Sequence, residues 1–130
     1  MREIVLDTET TGLDPAEGHR IVEIGAVELV NALPTGRVYH QYVNPERAMS
    51  TEAFQVHGLG DAFLSGQPRF AEIAGAFLDF IGDAPLVIHN AAFDMAMINA
   101  ELARHDLPTL PGSRAVDTLE IARRRFPGAQ

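Results

Sequence analysis

The stretch IVLDTETTG, residues 4–12, places two carboxylates directly after a short apolar run. The run from Ile4 to Leu6 is bounded by charged residues, which is typical of a strand buried on both faces rather than of a helix so close to the chain start. Asp7 and Glu9 stand two residues apart, so their side chains share one face if the extended backbone continues. The stretch therefore predicts a strand with a pair of acids at its end.

Two further strands follow in the first third of the chain. Residues 21–30 and 38–43 are rich in β-branched side chains, and Pro34-Thr35-Gly36 supplies a turn signal between them. Together with the first strand, these segments predict an antiparallel three-strand meander.

The second half of the chain alternates helical and strand patterns. Its elements follow in the order helix, strand, helix, strand, helix, over residues 68–82, 85–88, 91–105, 115–116 and 118–126. Strands first and then alternating helices and strands predict an α/β fold, a mixed sheet in which parallel strands extend the meander and helices flank it.

Composition restricts the chemistry. The chain has 130 residues, 46% of them hydrophobic and 22% charged, which suits one globular domain. Cysteine is absent, which excludes disulfides and thiolate zinc sites, and all ten basic residues are arginine, which excludes a lysine Schiff base or a Walker-type phosphate loop. A net charge of -8 argues against binding nucleic acid by bulk charge, unless bound divalent cations carry the positive charge.

The start of the chain favours a cytoplasmic location without a membrane partner. Acidic residues appear at positions 3 and 7, which is unlike a signal peptide, and no apolar run approaches the ~20 residues that a membrane-spanning helix needs.

A third carboxylate, Asp94, stands in the first turn of the helix predicted over residues 91–105. Met97 and Ile98 follow it at helical spacing, so Asp94 projects from the face that should pack on the sheet, where an unpaired acid is costly. If the strand before it is a parallel neighbour of the first strand, Asp94 approaches Asp7 and Glu9, and oxygen ligands of this kind suit Mg²⁺ or Mn²⁺. The simpler alternatives are a polar strand end and an acid that complements a helix dipole.

Four ordered motifs resemble a known family. They are DTETTG at 7–12, IVEIGAV at 21–27, VHG at 56–58 and HNAAFD at 89–94. In this order they are similar to the proofreading exonuclease (epsilon) subunits of bacterial DNA polymerase III, within the DEDD exonuclease superfamily, and the resemblance runs from residue 3 to residue 128.

The resemblance implies a ribonuclease-H-like fold and hydrolysis of the 3′-terminal nucleotide with two divalent cations, Mg²⁺ or Mn²⁺. It implies that Asp7, Glu9 and Asp94 are the catalytic metal ligands. It further implies that DNA with a single-stranded or frayed 3′ end is the substrate and that a replicative DNA polymerase catalytic subunit is the partner. The residues matching positions around the terminal nucleotide are Asp7, Glu9, Thr10, Glu52, Val56, His57, His89, Asn90 and Phe93.

The chain departs from the family at its end. The active family form uses a third motif, a histidine and a fourth metal-binding aspartate with four residues between them, beyond the point where this sequence stops. His89 and Asp94 have the same spacing, but their chain order identifies them with the second motif. The sequence PGAQ, residues 127–130, is a loop signal, so we expect residues 1–130 to be a C-terminally incomplete exonuclease domain with weak or no catalysis of its own.

Other interpretations remain open at this stage. A noncatalytic domain that binds a polymerase or a 3′ end fits the missing third motif, and an RNA-trimming exonuclease of the same superfamily fits the four motifs. The first motif also approximates the D-x-D-x-T nucleophile of haloacid-dehalogenase-like phosphatases, although Glu9 departs from it and lysine is absent. Asp117 with Glu120 predicts a helix cap, and His19 and His40 are expected on the surface or on strands.

Overall fold

Five strands form one mixed sheet, which a computed structural model describes for residues 1–128. In chain order the strands are β1 (Arg2–Thr10), β2 (Ile21–Val30), β3 (Leu33–Tyr42), β4 (Leu86–Ile88) and β5 (Ala115–Asp117). Their order across the sheet is β3-β2-β1-β4-β5. Strands β1, β2 and β3 are antiparallel neighbours, whereas β4 is parallel to both β1 and β5. The predicted α/β architecture, a meander extended by parallel strands, is confirmed.

In the part of the chain that the structure describes, five α-helices and two short 3-10 helices accompany the sheet. The α-helices are α1 (Thr51–His57), α2 (Asp61–Leu64), α3 (Phe70–Ile81), α4 (Ala91–Arg104) and α5 (Thr118–Arg125). Within the described residues, no helix is both long and apolar enough to cross a membrane. The predicted loop at residues 127–130 lies partly outside the described residues, which stop before Ala129 and Gln130.

The hydrophobic core lies between one face of the sheet and helices α3 and α4. Ile4 and Leu6 of β1 are buried, whereas Val5 between them is exposed on the opposite face. These residues form one cluster with the buried faces of the two helices, Phe70, Ile73, Phe77, Ile81, Met95, Ile98 and Leu102. Burial of each large apolar side chain stabilises the fold by about 1.5–3 kcal/mol. This packing fixes the start of α4 relative to the end of β1.

Strand β3 begins earlier than the sequence predicts. The turn before it lies at Asn31 and Ala32, which have positive φ values of 52° and 67°, whereas residues 34–36 belong to the strand. The prediction of a turn at Pro34-Thr35-Gly36 is therefore wrong. Proline lacks a backbone N–H, but β3 is an edge strand, where one missing donor is tolerated.

Helix α1 extends a segment that the sequence shows only as a capped turn. The Ser50 Oγ accepts a hydrogen bond from the Ala53 N–H at 3.1 Å, and Gly58 closes the helix with a left-handed φ of 73°. Helix α2 was not predicted, because four residues are too few to show an apolar period. Helix α1 forms one wall of the site described next.

Candidate active site

The parallel pairing of β1 and β4 gathers the predicted motifs at one edge of the sheet. Ile4 pairs with Leu86, so the residues that follow each strand emerge at the same end. Asp7 and Glu9 lie near the end of β1, and the turn after β4 leads into the first residues of α4, where Asp94 lies. Strands β1 and β4 are thus parallel neighbours, as the predicted approach of Asp94 to Asp7 and Glu9 requires.

Asp7 and Glu9 line the same small cavity of about 110 Å³, together with Glu23 from β2. Partial burial raises the pKa of Glu9, and the negative charges of Asp7 and Glu23 raise it further. The three carboxylates therefore repel one another. A cation at this position would relieve that repulsion.

Asp94 lies on the core side of the same edge and is only 4% exposed. The Thr8 hydroxyl donates a hydrogen bond to its carboxylate. Burial raises the pKa of Asp94 to about 6, the charges of Asp7 and Glu9 add to this effect, and the hydrogen bond from Thr8 opposes it. Asp94 is thus within electrostatic reach of the other two acids but is held by a neutral partner.

The donor set fits a hard divalent cation in its chemistry, because its ligand atoms are all carboxylate oxygens. Across residues 1–128, however, no three or more histidine, cysteine, aspartate or glutamate side chains are placed to hold one metal ion together. The structure brings Asp7 and Glu9 to one cavity and leaves Asp94 beside Thr8. The assignment of all three as metal ligands stays a prediction.

A larger cavity of about 590 Å³ opens beside the acidic edge, between the loop after β1 and helix α1. Six of the predicted nucleotide-binding residues line it: Glu9, Thr10, Glu52, Val56, His57 and Phe93. Leu13 and Val56 contribute apolar surface that is largely exposed. A cavity with apolar walls, an aromatic ring and a few polar groups suits a nucleoside.

His57 joins helix α1 to the end of β1. Its Nε2–H donates to the Thr10 carbonyl oxygen at 2.9 Å, and its Nδ1 accepts a hydrogen bond from the Leu59 N–H at 3.0 Å. These two bonds require the tautomer with the proton on Nε2. Both ring nitrogens are occupied, so His57 presents its ring to the cavity rather than a free base.

His89 and Asn90, which were also predicted to bind the nucleotide, are exposed and do not line the large cavity. The His89 Nδ1 lies 3.0 Å from the Thr118 hydroxyl, and the Asn90 N–H donates to the Asp117 carboxylate. Asp117 also accepts hydrogen bonds from the first N–H groups of α5, which confirms it as a helix cap. Its contact with the β4–α4 turn was not predicted.

Several residues of the site were not predicted, among them Glu23 and Leu13, and Thr8 and His19 are the two with polar contacts that shape it. His19 lines the large cavity and lies over Gly12, where an added Cβ would come within 2.3 Å of the imidazole ring. No local pattern indicates this position. Thr8 carried a signal, because the period of two along β1 places it on the core side, where a polar side chain needs a partner such as Asp94.

A buried ion pair fixes the loop that forms one wall of the large cavity. The Arg20 guanidinium donates to both carboxylate oxygens of Glu101 on α4, and Glu101 also accepts from the Ile21 N–H at 3.1 Å. The Thr11 hydroxyl accepts from the Arg20 N–H and lies 2.9 Å from His19 Nδ1. The loop is thereby joined to the helix that carries Asp94.

Comparison with known proteins agrees with this geometry. The model of the Exonuclease family (RNase_T) matches residues 4–130. The DNA polymerase III subunit epsilon of Rickettsia felis is 53% identical over 133 residues, covering 100% of this chain and 58% of the relative. The Escherichia coli K12 protein of that name is 50% identical over 134 residues, covering 98% of this chain and 55% of the relative. The predicted resemblance is confirmed, and the chain spans little more than half the length of these relatives.

Solved structures show the same fold. Exonuclease X in complex with 5′ overhanging duplex DNA has a TM-score of 0.73 at 27% identity and covers 98% of this chain and 66% of its own. Escherichia coli exonuclease I in complex with a dT13 oligonucleotide has a TM-score of 0.83 at 17% identity and covers 99% of this chain and 31% of its own. The predicted ribonuclease-H-like fold is confirmed.

Proposed function

Because the chain belongs to the Exonuclease (RNase_T) family, we propose that it is a metal-dependent 3′ to 5′ exonuclease that removes terminal nucleotides from DNA and proofreads replication. The observation that carries this proposal is that Glu9 borders two cavities at once. On one side it joins Asp7 and Glu23 in the small acidic cavity, and on the other it lines the cavity of about 590 Å³. A terminal nucleotide in the large cavity would therefore lie beside the acids.

We assign the cation-binding role to Asp7, Glu9 and Asp94. Two Mg²⁺ or Mn²⁺ ions, when bound, would activate water and stabilise the leaving 3′ oxygen. Asp7 and Glu9 would supply oxygen ligands from the rigid strand β1, and the raised pKa values of Glu9 and Asp94 mark carboxyl groups that a cation would keep ionised. The Thr8 hydroxyl would orient the Asp94 carboxylate.

The large cavity would hold the terminal nucleotide. The ring of Phe93 and the apolar side chains of Leu13 and Val56 offer surfaces on which a base packs. His57 would hold the Thr10 carbonyl in place, so the backbone at the end of β1 keeps a fixed distance from the nucleotide. His89 and Asn90 would contact the DNA strand from the rim of the site.

The same proposal defines the setting of the enzyme. Residues 1–130 would form a C-terminally incomplete exonuclease domain, and its substrate would be a single-stranded or frayed DNA 3′ end. The names of the relatives support a replicative DNA polymerase catalytic subunit as its partner in the cytoplasm.

The decisive experiment measures shortening of a 5′-labelled single-stranded DNA with Mn²⁺. It compares the wild type with Asp7→Ala and with the matched control Asp79→Ala, which changes an exposed aspartate on helix α3. Each protein is tested as the 130-residue chain and as a chain extended past Gln130 to the length of its relatives. We expect the extended chain to give a ladder of shortened products that Asp7→Ala reduces about 100-fold or more and Asp79→Ala leaves unchanged, and the 130-residue chain to give little or none.

Mn²⁺ binding, followed by electron paramagnetic resonance, is measured on the same proteins. Binding and cleavage that both depend on Asp7 support the exonuclease. Asp7-dependent Mn²⁺ binding without cleavage at either chain length would overturn it in favour of a noncatalytic 3′-end-binding domain. Cleavage of RNA but not of DNA would indicate the RNA-trimming alternative.

A further inference from the structure

The Asp117 carboxylate accepts hydrogen bonds from two segments that are far apart in the sequence. Its Oδ1 accepts from Leu119 at 2.9 Å and from Glu120 at 3.4 Å, as expected of the residue that caps helix α5. The same Oδ1 accepts from the Asn90 N–H at 3.0 Å, and Oδ2 accepts from the Ala91 N–H at 3.1 Å. One side chain therefore caps the helix it precedes and the start of α4.

The turn between β4 and α4 needs an external partner of this kind. Asn90 has φ 62° and ψ 58°, a left-handed conformation that residues with a Cβ rarely adopt, although asparagine tolerates it better than most. Its own side chain makes no capping hydrogen bond to α4. Asp117 supplies the missing acceptor from β5 and so stabilises a backbone conformation that the turn does not favour by itself.

The turn and the first residues of α4 carry four residues to which the proposed function gives a role, His89, Asn90, Phe93 and Asp94. His89 precedes Asn90 and is held by the Thr118 hydroxyl, next to Asp117 in the sequence. Phe93, which lines the large cavity, and Asp94, which bonds to Thr8, lie in the first turn of α4. Because His89 precedes Asn90 and the first turn of α4 follows it, a change in the backbone conformation of Asn90 would displace these residues.

We infer that Asp117 is a positioning residue of the active site, which fixes the β4–α4 turn and through it the placement of His89, Phe93 and Asp94. The expected effect on catalysis rests on the proposed exonuclease function. The hydrogen bonds by which Asp117 fixes the turn do not depend on that function. To cap α5 alone, a residue would need only one oxygen atom that accepts from the Leu119 and Glu120 N–H groups. The hydrogen bond that the Ala91 N–H donates to Oδ2 stabilises only the β4–α4 turn and the start of α4.

The test compares Asp117→Ser with Asp117→Ala. Serine is a good N-cap and keeps a hydrogen bond to α5, but its shorter side chain does not also reach Asn90 and Ala91. Alanine removes both sets of bonds. We expect amide hydrogen exchange at Asn90 and Ala91, measured by NMR, to become at least tenfold faster in both variants, whereas exchange at Leu119 and Glu120 should accelerate only in Asp117→Ala.

Steady-state kinetics on the DNA substrate provide the second measurement. We expect Asp117→Ser to lower kcat about tenfold, because Asp94 is displaced from the reacting geometry, and to raise KM by a smaller factor, because His89 and Phe93 move with the turn. The midpoint of urea unfolding should change less in Asp117→Ser than in Asp117→Ala. Wild-type kcat together with unchanged exchange at Asn90 and Ala91 in Asp117→Ser would overturn the inference.

A second pair of variants covers the possibility that Asp117 variants do not fold. Thr118→Val removes the hydroxyl beside His89 and keeps the side-chain shape, whereas Thr118→Ser keeps the hydroxyl. We expect the ¹⁵N chemical shifts of the His89 ring to change in Thr118→Val and to return to wild-type values in Thr118→Ser. Identical ¹⁵N shifts in the wild type and both variants would show that the Thr118 hydroxyl does not hold His89. Amide exchange at Asn90 and Ala91 and the ¹⁵N shifts of the His89 ring test whether β5 and α5 stabilise the turn. They do so even if none of the proteins cuts DNA.

Discussion

The Thr8 hydroxyl donates a hydrogen bond to the buried Asp94 carboxylate, joining the central strand β1 to the start of helix α4. The two residues are 86 positions apart in the sequence. Asp94 projects from a helix face that otherwise packs against the sheet, so Thr8 provides a polar contact where the remaining neighbours are largely apolar. One neutral hydrogen bond does not compensate fully for the burial of a charged carboxylate, so the ionised form of Asp94 destabilises the folded protein.

Replacing Asp94 by asparagine is expected to stabilise the protein at alkaline pH in the absence of divalent cations. The pKa of Asp94 is raised from 3.8 to about 6, so the stability associated with its protonated form is fully present below pH 3.8 and is lost as the pH rises through 6. Asparagine does not ionise and still accepts the hydrogen bond from Thr8.

The free energy of unfolding, measured with urea in EDTA, should therefore be about 2–3 kcal/mol higher for Asp94→Asn than for the wild type at pH 8. At pH 4 the two proteins should be nearly equal. An equal difference at both pH values would show that ionisation of Asp94 is not the cause.

The Arg20–Glu101 pair is expected to contribute strongly to stability. Glu101 is only 1% exposed and holds three donors, so Glu101→Ala leaves the Arg20 guanidinium and the Ile21 N–H without this partner. Breaking a buried pair in this way costs about 3 kcal/mol.

The matched control is Glu120→Ala, which removes the same side chain from an exposed helical pair with Arg124 and should cost less than about 0.5 kcal/mol. Urea unfolding measures both. Equal, small losses would mean that the loop is not held through Glu101.

Local sequence patterns predicted the parts of the fold that depend on periodicity. The apolar residues of α3 recur at helical spacing, and Met97 and Ile98 beside Asp94 showed which side of α4 faces the sheet. The pair Asp7 and Glu9 followed from the period of two along β1. In each case the signal lies within one element, where the spacing of side chains fixes the face they share.

The remaining features depend on contacts between distant segments, which no local pattern encodes. His19 lines the cavity because the Arg20–Glu101 pair and Thr11 position its loop. Asp117 was predicted as the cap of its own helix, but its second role arises only because β5 lies next to β4 in the sheet. The turn before β3 was misplaced because an edge position permits a proline that a central strand would exclude.

Gly12 is expected to be required for full stability as long as the His19 ring lies over it. A Cβ at Gly12 would lie 2.3–2.5 Å from three atoms of the His19 ring, so Gly12→Ala displaces the ring and should cost about 1–3 kcal/mol. In a His19→Ala background the same change should cost much less. Gly25→Ala is the control, because an added Cβ there meets no atom within 4 Å. Thermal unfolding of the double-mutant cycle measures the coupling, and additive effects would contradict the predicted clash.

His57 is expected to matter for nucleotide affinity through its bond to the Thr10 carbonyl. His57→Ala removes both ring hydrogen bonds and part of the cavity wall, so the affinity for thymidine 5′-monophosphate should fall about tenfold, equivalent to one or two lost contacts of about 1 kcal/mol each. Gln55→Ala, which changes an exposed residue of the same helix, should leave the affinity unchanged. Isothermal titration calorimetry with Mn²⁺ present measures both variants. Because His57 holds the Thr10 carbonyl through a ring N–H, an affinity in His57→Ala equal to that of the wild type would contradict this role.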